Sequence, residues 1–161
     1  MNNQVLLNVF RAGLSSFKPA AIVSFIKKEN GGASVFLHSD DLGTPILPAA
    51  IVTKDNENPL AEIEQLLVTQ GLPVILLEKK VFDGYDSNVK PVYRRWPVLV
   101  NTDSIRGEIK QLPAGGSEFS TVNILSDFTV TESPEEIERK IEAVKQQIAS
   151  KAQPAIVPEP F

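Results

Sequence analysis

The sequence predicts an α+β fold: two tandem units, each an antiparallel β-sheet followed by one helix, with a proline-rich C-terminal arm. Three observations carry this. Short β-branched and aromatic runs are separated by Gly-Gly and Asn-Gly reversals, the signature of hairpins rather than of parallel crossovers. Each half of the chain also holds one amphipathic helix that starts on a proline and follows strands. Finally, the chain resembles itself. S-V-F-L-H-S-D (34–40) matches T-V-N-I-L-S-D (121–127); both follow a strand closing on Gly-Gly and precede a strand leading to a proline-started helix. Strand–turn–strand patterns also recur by chance, so coincidence is the alternative to duplication. The expected boundaries are 1–71 for the first unit, 72–151 for the second and 152–161 for the arm.

In chain order, V-L-L-N-V-F (5–10) is a strand by composition and 11–18 a loop. Residues 20–28 and 33–38 flank Glu29-Asn30-Gly31-Gly32, whose Asn and Gly accept the positive φ of a tight reversal. Alternation in A-I-V-S-F-I-K-K is imperfect, which predicts strands covered on both faces over part of their length. Pro45 and Pro48 mark 40–47 as a loop, and 49–54 returns to strand character. Asn58-Pro59 then opens a helix with a side-chain cap expected from Asn58. Leu60, Ile63, Leu66 and Leu67 form its apolar stripe, and Gly71 ends it. Residues 73–80 (P-V-I-L-L-E-K-K) read as a buried strand. Residues 82–89 read as a polar segment with turns at Asp83-Gly84 and Ser87-Asn88, and 92–96 as a hairpin edge. Further strands are expected at 97–101, 105–111, 119–125 and 128–131, with a Gly-Gly turn inside 112–118. Ser133-Pro134-Glu135-Glu136 is a capping box with proline at the first helical position. It opens a helix striped by Ile137, Ile141, Val144 and Ile148. Three prolines keep 152–161 extended.

Composition bounds the function. A chain of 161 residues with 42% hydrophobic and 22% charged residues can bury a real core. A net charge of −4 supplies no global field for nucleic acid or anionic lipid. With no cysteine, disulfides, thiolate catalysis and cysteine-type zinc sites are out. No apolar run reaches the roughly 18 residues of a membrane helix, and the start Met-Asn-Asn-Gln argues against a cleaved signal. A cytoplasmic or virion location is expected.

The run V-L-V-N-T-D-S-I, a Gly-rich turn, I-L-S-D and V-T-E-S-P-E-E-I resembles the FlbD-type flagellar-operon proteins and related short proteins of bacterial and phage genomes. The shared pattern is a Val-Asn-x-Asp-x-Ile strand, a hairpin and a Glu-Ser-x-Glu-Glu-Ile helix start. It covers residues 97–141. It departs in the long insertion before Trp96, and the first half lacks both wordings. The resemblance implies a fold and little chemistry, since that family has no established catalytic residues.

The residues themselves offer no catalytic set. His38, the single histidine, has only Asp40 and Asp41 near it in sequence, a poor metal or general-base group. Asp83 and Asp86 lack the glutamate that would complete a calcium loop. The Gly-Gly pairs open no helix, and no nucleophile elbow accompanies the serines. Glu132, Glu135, Glu136 and Glu138 gather at a helix start, where the macrodipole accounts for them. The strongest surface candidate is Tyr93-Arg94-Arg95-Trp96, with Tyr93 and Arg95 on one strand face and Arg94 and Trp96 on the other. The expected function is therefore a non-enzymatic structural or assembly protein, with no cofactor and no metal, acting through contacts with other protein subunits. By analogy it is a phage virion component. Ile156, Val157 and Phe161 of the C-terminal arm would dock on a neighbouring subunit. The alternative is a regulator binding nucleic acid through Lys90, Arg94, Arg95 and Arg106.

Overall fold

Glycine-rich reversals and two prolines that start helices set the topology. The computed structural model describes residues 5–7, 15–17, 22–29, 31–37, 49–51, 58–122 and 127–152. His38, Asp40 and Asp41, and Ile156, Val157 and Phe161 of the expected arm, lie outside the described residues. Strands β1 (Val5–Leu7) and β2 (Ser15–Phe17) form a separate antiparallel pair. The remaining strands are β3 (Ile22–Lys27), β4 (Ala33–Leu37), β5 (Ala49–Ile51), β6 (Val74–Tyr85), β7 (Pro91–Asn101), β8 (Ile105–Gln111), β9 (Ser117–Thr121) and β10 (Phe128–Val130). They make one eight-stranded sheet in the order β5-β4-β3-β7-β6-β10-β9-β8, antiparallel at every pairing. Helix α1 (Pro59–Thr69) follows β5, and α2 (Pro134–Ala152) follows β10.

The α+β class and the antiparallel sheet match the sequence expectation. The boundary expected at residue 71 falls in the turn after α1, and the sheet runs across it, because β3 pairs with β7 from Ser24↔Val100 to Ile26↔Val98. The runs β3–β4–β5–α1 and β8–β9–β10–α2 trace the same order of elements. The first begins beside the central β6–β7 hairpin and the second begins at the sheet edge.

Burial explains why the inner strands lack clean alternation. Ile22, Val23, Ser24 and Phe25 are all buried in succession, as are Val98 to Asn101. Ile63 and Leu67 of α1 and Ile137 of α2 close the core over Val74, Leu77 and Leu99. Of the expected α1 stripe, Leu66 is only half-buried, and Val68 joins the core instead. Asn58 precedes Pro59 as expected but makes no capping hydrogen bond through its side chain. The helix ends in a Schellman turn: Leu72 N–H donates to the Leu67 carbonyl (2.9 Å) and Gly71 N–H to that of Val68 (3.0 Å). For α2, Ser133 Oγ accepts from Glu136 N–H at 3.2 Å, as the capping box requires.

Several polar side chains are buried with this core, and Asn101 and Glu132 brace it. Asn101, at the end of β7, donates from Nδ2 to the Ile22 carbonyl (2.8 Å) and accepts at Oδ1 from Asp103 N–H (3.0 Å). Ser104 then donates to the Asn101 carbonyl at 2.6 Å. The Asn-x-Asp wording of the sequence is therefore a brace across a 3₁₀ turn (Thr102–Ser104), tying β7 to β3. Glu132, just past β10, is almost wholly buried. Both its carboxylate oxygens accept from Glu78 N–H at 3.1 Å, and Lys140 Nζ lies 3.8 Å from Oε2. It continues the β10–β6 ladder with a side chain where the backbone pairing stops.

The outer edge is guarded. The β8–β9 register breaks between Arg106 and Lys110, with Gly107 at φ +68°. Arg106, Glu108 and Lys110 are exposed along it. A bulged, charged edge disfavours pairing with another strand.

Candidate interaction surface

The longest strands belong to the central hairpin, and they outrun their neighbours. β10 meets β6 only at Val130↔Lys79, and β3 meets β7 no further out than Val98. Beyond those points β6 and β7 pair with each other as far as Tyr85↔Pro91. Six residues of strand at about 3.3 Å each give an arm roughly 20 Å long. This corrects the sequence reading of 82–89 as a polar segment with two turns. Phe82 to Tyr85 is strand, Asp83-Gly84 is a bulge marked by the register shift between Phe82 and Tyr85, and only 86–90 turns. Asp86 braces that turn. Its Oδ1 accepts from Asn88 N–H (2.8 Å) and Lys90 N–H (3.0 Å), so this carboxylate works as a turn former.

The arm is clamped at its base from both sides. On the β3 side, Trp96 Nε1 donates to the Lys27 carbonyl at 2.6 Å, and Arg94 pairs with Glu29 at 2.9 Å while stacking 5.0 Å over the Trp96 ring. On the other side, Lys80 Nζ donates to the Gly115 carbonyl at 2.8 Å. Arg95 faces the opposite way and approaches Glu78 at 3.7 Å. The facial split expected for Tyr93-Arg94-Arg95-Trp96 is thus present. Trp96 and Arg94 brace the neighbouring hairpin, and Tyr93 alone of the four joins an exposed apolar group. The four cations of the alternative reading do not converge: Arg106 lies on β8, with three strands between it and β7.

That apolar group is what the sequence reading missed. Phe82 sits edge-on to Tyr85 (5.3 Å between centroids) and to Tyr93 (6.0 Å), its direct cross-strand partner. Tyr85 is 67% exposed and Val89 at the tip 76%. Phe82, Tyr85, Tyr93 and Val89 together offer on the order of 500 Å² of accessible surface, beyond what isolated surface hydrophobes leave open. A signal for them exists in the sequence. Phe82 and Tyr93 are equidistant from Ser87-Asn88, a spacing consistent with cross-strand partners about that turn, although the bulge leaves Tyr85↔Pro91 unequally spaced.

Val89 adds a conformational oddity. Three hairpin loops of the chain close with the same pair of backbone bonds. Lys28 N–H donates to the Gly32 carbonyl and Gly31 N–H to that of Lys28; Leu112, Gly115 and Gly116 repeat this, and so do Asp86, Val89 and Lys90. The fourth residue must be left-handed. It is Gly31 (φ +99°) and Gly115 (φ +95°) in two loops but Val89 (φ +60°) in the third. A β-branched residue in this region is strained by about 1–2 kcal/mol. Val89→Gly is expected to raise stability by about 0.5–1 kcal/mol after the added unfolded-chain entropy, read as a higher urea midpoint.

A second feature lies between the helices. A cleft of about 510 Å³ opens over the start of β6, floored by Val68, Val74 and Val144 and rimmed by Glu64, Gln65 and Lys140. Burial pushes the Glu64 carboxyl above its ordinary value, and the nearby Lys140 charge pulls it partly back. Lys140 is already engaged, donating to the Leu76 carbonyl at 2.7 Å and facing Glu132.

Comparison with protein-family models, with curated proteins and with solved structures gives no match.

Proposed function

We propose that the chain is a non-enzymatic structural or assembly protein that works through protein contacts made by the β6–β7 arm. The observation that carries this reading is the exposed Phe82–Tyr85–Tyr93 cluster on a hairpin held rigidly at its base. Rigid aromatic side chains bury much area at little entropic cost, and they dominate protein interfaces. A stable contact needs about 800 Å² from each partner; the aromatic cluster with its polar surround approaches that. A phage particle is the setting suggested by the resemblance of residues 97–141 to short phage-encoded proteins. Duplication of a strand–turn–strand–helix segment belongs to the same proposal, as a route to a subunit with two similar wings. The C-terminal segment with Ile156, Val157 and Phe161 is a second contact in this scheme.

The test is a triple variant, Phe82→Ser, Tyr85→Ser and Tyr93→Ser. Its expected circular dichroism is that of the parent, because the three side chains lie outside the core. Assembly size or capture of co-purifying protein is expected to fall at least tenfold. Unchanged assembly and unchanged capture would refute the proposal.

A further inference from the structure

We infer that the occupant of the arm's tip is a second copy of this chain, whose α1–α2 cleft receives Val89 and Tyr85 and pairs Lys90 with Glu64. The inference rests on the arm-contact reading and names its partner. Three observations converge on it. Val89 keeps a left-handed backbone and an exposed apolar side chain where the two sister loops use glycine, held there by the bonds of the Asp86 turn. Strain held at an exposed tip points to a role outside the subunit. The cleft offers an apolar floor in the size range that takes one or two large side chains. The charges also match. The described ion pairs are Arg94–Glu29, Arg95–Glu78 and Lys140–Glu132, so Lys90 at the tip and Glu64 in the cleft each lack a salt bridge among the described residues. Lys140 cannot serve Glu64 fully, being held by Glu132 and the Leu76 carbonyl. An incoming ammonium would complete that set, one cation for each carboxylate.

Knob and hole lie on different parts of the chain, so copies join either reciprocally, each knob in the other's cleft about a two-fold axis, or head to tail into a ring or a filament. Sedimentation velocity on the full chain tests it. The parent is expected to self-associate with rising concentration. Lys90→Glu and Glu64→Lys are each expected to weaken association at least tenfold, and the double variant to regain it. Val89→Gly is expected to weaken association while raising the unfolding midpoint, opposite signs that a merely structural role would not give. A parent that stays monomeric into the millimolar range overturns the inference, as does a double variant no better than either single one. If the triple aromatic variant nonetheless loses capture of a co-purifying protein, the arm-contact reading stands and the partner is a different protein.

Discussion

Replacing Glu132 by alanine is expected to destabilise the fold by about 2 kcal/mol, read as a lower urea midpoint with an unchanged slope. The physical cause is a chain of losses. Glu78 N–H gives up its acceptor in a half-buried position, and Lys140 loses the carboxylate 3.8 Å away while still held near the Leu76 carbonyl. A buried donor left unsatisfied costs about 1–3 kcal/mol, whereas Lys140 is 41% exposed and water can replace its lost carboxylate, so the ion pair adds little. Glu132→Gln separates the two terms: it keeps an acceptor for Glu78 N–H and removes the charge, so about 1 kcal/mol is expected. Equal losses in the two variants would show that the ion pair, not the amide bond, supports β10.

Gly116→Ala is expected to cost about 3 kcal/mol or to prevent folding, with Gly115→Ala costing about 1–2 kcal/mol. Both residues are left-handed, at φ +84° and +95°, so both substitutions are strained. They differ in space. A Cβ at Gly115 meets nothing within 4 Å, whereas one at Gly116 runs into the Val130 carbonyl and comes within 3.2 Å of Lys80 Nζ. The carbonyl is backbone and cannot move without breaking the β9–β10 pairing at Val130↔Ser117. The same shift would disturb Lys80, which holds the Gly115 carbonyl at the base of the arm. Thermal unfolding of the two variants side by side distinguishes conformational strain from collision.

Legibility in the sequence followed the strength of the local signal. The two hairpins closing on Gly-Gly, the proline-started helices and most of their apolar stripes were readable, because each rests on a short-range rule. Ile22 to Phe25 was readable as doubly covered, since broken alternation is what two-sided burial produces. The central hairpin was not. Asp83-Gly84 has the composition of a turn, and only pairing with β7 turns it into a bulge. Read as a reversal, that pair hides Phe82 and Tyr85 as strand residues of an arm. Likewise Tyr93-Arg94-Arg95-Trp96 stood out by composition, yet which of its members brace the base depends on Glu29 and Lys27, more than sixty positions away in the chain. The α1–α2 cleft has no linear signature at all, being formed by two helices separated by five strands.

The bulged, alternately charged border of β8 constrains how such subunits could be joined. Because that border disfavours further backbone pairing, copies that associated would be kept from fusing into one endless ribbon of the amyloid kind. They would meet instead through side chains at discrete joints, and a joint of that sort can be undone. An array built this way would come apart into intact links under salt or dilution, without any subunit having to unfold.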